Sequence, residues 1–361
     1  MLGPNSKTDL EIYTNASVIW QAMYADCAAA EQSIEFEQYI LKDDDAGHKF
    51  LKLFTEKVKQ GVSVQLMLDR IGSRDLLVSP AFSELINAGG IAYFYNPIDL
   101  GTVLTPAKWL PRNHIKTLLI DGKIGYTGSA CIWEDTAHWH DLQVRLTGPP
   151  VEDIRNEFSR LWAEAGKKQK PPPLHNGRAR SNVFYLTSQF SIAPNRIYRE
   201  LLQGIHHARK NIRIVTPYFL PPWLLRRALY KAVRRGVNVQ VMVSEKSDVP
   251  IADYVSRSYY PKLFRYGVHI FHYHLTVLHA KYAIVDDNWV TIGSTNMDYL
   301  SLLQNREANI FAADAAVAAK VREDFDSCMT DCRAVDMACY RAMPWWQRAL
   351  GYLGRGMRSI L

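Results

Sequence analysis

The octet HIKTLLID at residues 114–121 returns as HAKYAIVD at 279–286, with histidine, lysine and aspartate at the same spacing. A repeat of this kind restricts the fold strongly, because its surroundings repeat with it. GVSVQLML at 61–68 is nearly copied by GVNVQVMV at 236–243, and IEFEQYI at 34–40 is matched by IRIVTPYF at 212–219. The chain is therefore read as an internal duplication, two versions of one supersecondary plan.

Each version alternates strand and helix. IEFEQYI reads as a strand running into the turn-rich KDDDAG. KFLKLFTEKVKQ has Phe50, Leu53, Phe54 and Val58 at helical spacing before Gly61, VSVQLMLD reads as a buried strand, FSELINAGG as a helix with a glycine stop, and IAYFYNP as another strand. In the second half LLRRALYKAVRRG is the matching helix, and VEDIRNEFSRLW and VAAKVREDFDSCM close the two halves. Alternation of this kind predicts an α/β fold with mixed sheets flanked by helices. We expect a first lobe over residues 1–165, a basic proline-rich linker over 166–182, a second lobe over 183–335 and a basic tail over 336–361.

A length of 361 residues suits two lobes better than one core. The net charge of +7 is concentrated: residues 166–182 carry five basic and no acidic residues, and the tail carries four arginines against Asp336. The lobes are close to neutral, so the linker and tail supply any attraction to polyanions. No run of apolar residues is long enough to span a membrane, and the N-terminal MLGPNSKTDL is too polar for a secretory signal, which predicts a cytoplasmic location. The five cysteines lack paired CxxC spacing and read as reduced thiols rather than a zinc or disulfide framework.

In a strand, residues two apart share a face, so each octet should deliver one imidazole and one ammonium to a common point. Both octets are followed by Gly-Ser, at Gly128–Ser129 and Gly293–Ser294, and then by an acid, Asp141 or Glu307. His138 and His140 in HWHD, and His272 and His274 in FHYH, could also share faces. No third metal ligand is visible beside them, and they read as parts of loops framing a pocket.

With these motifs the chain resembles the two-motif members of the phospholipase D superfamily, and within it the bacterial cardiolipin synthases. FEQYILKDDDAG, TPYFLPP, LHAKYAIVDDNWVTIGSTNMD and NREANIF are similar to family segments, and the resemblance covers roughly residues 9–335. It implies two pseudo-symmetric phospholipase D-like lobes with the active site at their interface. It also implies a reaction through a phosphohistidine, without metal or other cofactor. A phosphodiester resists attack because its charge repels nucleophiles and its alkoxide leaves poorly, so a catalyst must neutralise the one and protonate the other. By resemblance His114 is the nucleophile, His279 the general acid and later base, and Lys116 and Lys281 hold the nonbridging oxygens in place of a metal ion. Asp141 and Glu307 are the expected orienters of the two imidazoles, and Ser129, Ser294 and Asn296 the expected donors to the phosphate. The first lobe departs from the pattern in carrying Cys131, a weak donor, where the second carries Asn296. Asp121 and Asp286 lie across the apolar run from the histidines and are expected to be structural.

The catalytic pair does not choose between lipid and nucleic acid. In PWWQRALGYLGRGMRSIL, Trp346, Leu350, Leu353, Met357 and Ile360 fall on one helical stripe and Arg348, Arg355 and Arg358 elsewhere, as suits a helix at a lipid interface; the rival is a helix packed on the protein itself. Its three glycines predict that it folds only when bound. Trp109 and Leu110 could add an apolar lip to the pocket. The expected activity is a phosphatidyl transfer to the hydroxyl of phosphatidylglycerol, peripheral on the inner face of the cell membrane, with the anionic surface met by linker and tail. The alternatives are a phospholipase D releasing phosphatidic acid, a metal-independent endonuclease, and a non-catalytic membrane- or nucleic-acid-binding module. Near-neutral lobes make nucleic acid the weaker partner.

Overall fold

The structure, a computed structural model, describes residues 8–96, 111–166, 181–189 and 194–357. Trp109, Leu110, most of the basic linker, Arg358 and Ile360 lie outside the described residues. The first half runs β1 (Asp9–Asn15), α1 (Ala16–Ala28), β2 (Ser33–Gln38), α2 (Asp45–Lys59), β3 (Ser63–Asp69), α3 (Pro80–Asn87), β4 (Ile91–Tyr95), β5 (Thr117–Ile120), β6 (Ile124–Gly128), β7 (His140–Thr147) and α4 (Pro149–Gly166). The second runs β8 (Val183–Ser188), α5 (Arg196–His207), β9 (Asn211–Thr216), α6 (Trp223–Arg234), β10 (Asn238–Ser244), α7 (Pro250–Tyr266), β11 (His269–Tyr273), β12 (Tyr282–Val285), β13 (Trp289–Gly293), β14 (Glu307–Ala312), α8 (Ala315–Met329), β15 (Cys332–Val335), α9 (Met337–Ala342) and α10 (Trp345–Gly354).

The duplication is plain in the pairing. One 7-stranded sheet has the order β1-β7-β6-β5-β2-β3-β4, and the 8-stranded sheet repeats it in reverse listing as β11-β10-β9-β12-β13-β14-β8 with β15 added at the β11 edge. In each, three strands run parallel (β2, β3, β4 and β9, β10, β11) and the octet strand, β5 or β12, joins them antiparallel. Both sheets are mixed and covered by helices, as the alternation requires.

Local chemistry sets the element ends. KDDDAG is not all turn: α2 starts at Asp45, because the Asp44 carboxylate accepts the Gly47 N–H at 2.9 Å and caps the helix. Asp121 and Asp286, each at φ 51°, sit just past the octet strands. Asp121 accepts the backbone N–H groups of Glu31, Gln32 and Ser33 at 3.0, 2.7 and 2.9 Å, and Asp286 those of Arg209, Lys210 and Asn211 at 2.7, 2.7 and 3.0 Å. Each aspartate thus ties the end of the octet strand to the start of its antiparallel neighbour, β2 or β9, at the opposite end of the octet from the histidine.

The two sheets share one core. Ile115, Leu119, Leu142, Val144 and Leu146 from the first half pack with Val215, Met242, Ile284, Ile292 and Ile310 from the second, all buried. At about 1.5–3 kcal/mol per fully buried side chain, this seam fixes the halves against each other. Its rigidity is what holds the octets in register.

The tail is folded. Helix α10 lies on α7 through Gly351 and Gly354, where a Cβ on Gly351 would come 2.2 Å from the Tyr254 carbonyl oxygen. The glycines read as weakening this helix are the surface by which it docks. Arg355 completes the contact, its guanidinium 4.6 Å from the Tyr259 ring centroid and donating to Ser258 Oγ at 2.8 Å.

Candidate active site

His114 and Lys116 precede β5, and His279 and Lys281 precede β12; in neither half are they inside the strand. What aligns them is backbone pairing between the halves. His114 N–H donates to the Arg306 carbonyl at 2.9 Å and Arg306 N–H to the Arg112 carbonyl at 2.9 Å. Likewise His279 N–H donates to the His140 carbonyl at 2.7 Å and His140 N–H to the Val277 carbonyl at 2.9 Å. Each histidine therefore lies beside the segment that leads to the other half's acid.

The side chains follow that crossing. His114 Nδ1 is 3.1 Å from both carboxylate oxygens of Glu307, and His279 Nδ1 is 2.8 Å from Asp141 Oδ1. A carboxylate can only accept, so Nδ1 carries the proton in each ring and Nε2 is the atom left for chemistry. Both histidines line one cavity of about 180 Å³. The approach to His114 is braced further by the buried Arg112–Asp69 pair at 2.7 Å and by Asn113 N–H on Asp69 Oδ2 at 2.9 Å.

The lysines are buried under the histidines. Lys116 Nζ donates to the His114 carbonyl at 2.7 Å and Lys281 Nζ to the His279 carbonyl at 2.5 Å. Burial lowers the pKa of both, that of Lys281 to about 8, with Asp141 opposing and Lys116 adding to the fall. Burial also pushes His114 down to about 4 despite Glu307, with Lys116 contributing, which keeps this imidazole neutral over the physiological range. Burial disfavours the Asp141 anion, yet His279 and Lys281 hold its carboxyl well below the usual carboxylate range.

The serines are placed differently from expectation. Ser294 Oγ donates to Glu307 Oε2 and accepts the Ala308 N–H at 3.0 Å; Ser129 Oγ accepts the Leu142 N–H at 3.0 Å and contributes a hydrogen bond to Asp141. Neither lines the cavity, and neither do Lys116 and Lys281. Each hydroxyl is consumed in holding the acid that begins the next strand, which in turn holds the other half's histidine. Asn296 does line the cavity, with Nδ2 donating to Tyr218 Oη at 3.2 Å, and so does Cys131 at its equivalent position.

Among the described residues, no histidine outside the octets lines the cavity. His272 lies in β11, buried, with Nε2 2.9 Å from the Tyr260 hydroxyl. His140 opens β7 and reaches across to α8, 3.0 Å from Asp324 and 3.3 Å from Cys328 Sγ, so that these donor atoms lie within 4.8 Å of one another. Its neighbour Trp139 meets the cavity, its ring centroid 5.2 Å from that of His279, as the Tyr39 centroid stands 4.8 Å from that of His114. Sequence reasoning missed both aromatics. Tyr39 was findable, since it and Tyr218 occupy matching places in QYIL and PYFL and both line the cavity.

The family described as "Cardiolipin synthase, PLD-like domain" matches residues 24–162 and again 201–329. The chain belongs to this family. It is 31% identical over 359 residues to cardiolipin synthase B of Salmonella typhi, covering 93% of this chain and 84% of that one. It is 30% identical over 366 residues to the minor cardiolipin synthase ClsB of Bacillus subtilis, covering 98% and 90%. The fold is that of phosphatidylserine synthase from Haemophilus influenzae, with a TM-score of 0.77 over 98% of this chain and 95% of the other at 14% identity. As a member of the phospholipase D-like cardiolipin synthases, the chain has its family's two repeats contributing one octet each to a single cavity.

Proposed function

We propose that the protein is a phosphatidyltransferase of the cardiolipin synthase kind, moving a phosphatidyl group from an anionic phospholipid to the hydroxyl of phosphatidylglycerol. The observation that carries this reading is the crossed pairing, His114 with Glu307 and His279 with Asp141, around one cavity. His114, held neutral, attacks phosphorus through Nε2. As the N–P bond forms, the P–O bond to the head-group alcohol breaks, and His279 gives its Nε2 proton to the leaving oxygen. The acceptor hydroxyl then returns a proton to His279, its oxygen bonds phosphorus, and the N–P bond breaks. Lys116 and Lys281, buried with each Nζ held on its histidine's carbonyl, balance the charge of the phosphate through space.

The reaction is placed on an anionic membrane surface, at the inner face of the cell membrane. No described helix is long and apolar enough to cross a membrane. Helix α10 docks by its glycines and turns Trp345 and Leu353 outward, 73% and 76% exposed, with Leu350 and Tyr352 beside them, which suits insertion among lipid head groups. The basic linker and tail add the electrostatic attraction.

The test is product analysis. Protein incubated with phosphatidylglycerol vesicles should yield a four-chain lipid and free glycerol. Phosphatidic acid as the sole lipid product would make it a hydrolase instead, and cleavage of single-stranded DNA with no action on vesicles would make it a nuclease.

A further inference from the structure

A second cluster of reactive side chains lies outside the cavity, where β7 of the first half meets α8 of the second. Asp324 and Cys328 are four residues apart on α8 and so share one face of that helix. His140 reaches this face from β7, its Nε2 3.0 Å from Asp324 Oδ1 and 3.3 Å from Cys328 Sγ. All three are largely shielded from water: the imidazole is 16% and the carboxylate 6% exposed, and the cysteine is buried. The third ligand that HWHD lacks in sequence is supplied by the other half.

An ion pair alone does not account for the grouping. An imidazole nitrogen has one N–H or one lone pair to give, and here an oxygen and a sulfur converge on the same Nε2. A divalent cation set among the three atoms gives each its own bond. It also replaces the thiol proton, which burial and the neighbouring Asp324 charge otherwise retain. The spacing suits such an ion, since nitrogen, oxygen and sulfur ligands of a tetrahedral zinc stand about 3.3–3.6 Å apart, and these three atoms lie within 4.8 Å of one another. Asp324 Oδ2 accepts the Tyr282 hydroxyl at 2.8 Å, which leaves Oδ1 turned to the imidazole. Cys332 of β15 stands opposite Tyr273 of β11, so their side chains share a face of the sheet, and the Tyr273 ring centroid is 5.8 Å from that of His140. Cys332 also packs on the core that contains Cys328, and the gap between the two cysteines is one that zinc ligands commonly show.

We propose that His140, Asp324 and Cys328 form a structural site for a zinc-class divalent cation, with Cys332 at the fourth corner. Mixed imidazole, carboxylate and thiolate ligands suit zinc and disfavour magnesium and calcium, which take oxygen. Because the ligands come from both halves, the ion is a staple across the seam and takes no part in phosphoryl transfer. Its place still bears on the chemistry. The His140 carbonyl accepts the N–H groups of His279 and Ala280 at 2.7 and 3.0 Å, and the next residue, Asp141, orients the His279 imidazole. The proposal stands independently of the transferase reading.

The experiment titrates the full chain, stripped by chelator and dialysed, with Co²⁺ and then with Zn²⁺ in competition. Co²⁺ reports sulfur ligation by a near-ultraviolet charge-transfer band and tetrahedral geometry by its visible bands. One equivalent should bind with both signatures and be displaced by Zn²⁺. Zn²⁺ at a roughly hundredfold excess over its Kd should raise the melting temperature by about 5 °C. Cys328→Ser and Asp324→Asn should each weaken binding at least about 100-fold, and Cys332→Ser about tenfold. Cys339→Ser, at the exposed cysteine, should leave it unchanged. A wild type that shows no sulfur band with Co²⁺ overturns the proposal, and so does a band that disappears in Cys339→Ser. Binding of wild-type affinity in Cys328→Ser overturns it too; should that variant fail to fold, Asp324→Asn, which keeps an oxygen for Tyr282, decides in its place.

Discussion

The two halves of this chain share strand order, octet, glycine-serine turn and closing helix, and they differ where substrate would touch them. His114 meets both oxygens of Glu307 and the edge of Tyr39; His279 meets one oxygen of Asp141 and the edge of Trp139. Cys131 and Trp133 line the cavity from the first half, and Asn296 and Asp298 line it from the matched positions of the second. Duplication preserved the parts that aim the imidazoles and let the lining of the cavity diverge. Because each histidine takes its acid from the other half, neither half holds a complete site, and the pair is under a constraint that a single copy is not.

Removing one imidazole separates the roles most sharply. His114→Ala should lose at least about 10⁴-fold in turnover and retain no covalent label when its reaction with phosphatidyl-labelled phosphatidylglycerol is quenched by denaturant at neutral to alkaline pH, where a phosphohistidine survives. His279→Ala should lose a similar factor in turnover by slowing both the formation of label, whose leaving alcohol it protonates, and its discharge, while any label it does form stays on His114. Label on His114→Ala and none on His279→Ala would reverse the assignment.

The acids come next. Glu307→Gln should slow label formation through His114, and Asp141→Asn should slow both formation and discharge through His279, each by about 10²–10³-fold, because a neutral amide no longer compels the Nδ1–H tautomer. The crossing gives this prediction its edge: a residue in the second half should control the chemistry of the first half's histidine. If Glu307→Gln left adduct formation untouched and slowed only its discharge, the pairing at 3.1 Å would have no catalytic meaning.

Acidity offers a smaller but directional test. A histidine works as nucleophile only when neutral, so the rate of label formation should fall as pH drops through about 4, the value to which burial pushes His114. The alkaline limb should appear near pH 8, where Lys281 loses the charge that balances the phosphate. Stability should move with the acid limb. His114 titrates lower folded than unfolded, so the unfolded chain binds the extra proton between about pH 6.5 and 4, and folding weakens as pH falls through that window. Urea melts at pH 7 and pH 4.5 would check the sign, with allowance for other titrating groups by comparison with His114→Ala.

Much of this comparison could be read in the sequence, and the reason is physical. The alternation of strand and helix follows from a repeat whose apolar runs have the period of buried strands, and the octets name their own chemistry. Asp121 and Asp286 could be set aside as structural, because they sit beyond an apolar run from the imidazoles. The crossing of the acids could not be read, since Asp141 is nearer in sequence to His114 and only the backbone pairing of Asn113 with Arg306 and of His140 with Leu278 reveals the exchange. The serines were misplaced for a related reason. A hydroxyl two residues before a cavity wall reads as a phosphate donor until the next strand's acid is seen against it. For α10, helical spacing identified an apolar stripe, but propensity counted its glycines as a cost when close approach to α7 makes them the contact.

The smallest expected effect bears most directly on why the halves diverged. Cys131 stands where Asn296 stands in the second half, buried to 5% exposure, and its carbonyl accepts the Trp20 indole N–H at 2.8 Å. Cys131→Asn would restore the symmetric pair without touching that backbone bond. If the first wall only excludes water and packs the lipid side of the substrate, the added amide gives it no new task, and transfer should change by less than about threefold. If the half retained a phosphate-binding duty that a thiol performs poorly, the variant should lower the KM for phosphatidylglycerol with kcat unchanged. A fall in the ratio of four-chain lipid to phosphatidic acid would point the other way, to a wall whose lack of polar atoms keeps water from the phosphohistidine, and would make the loss of symmetry part of what separates transfer from hydrolysis.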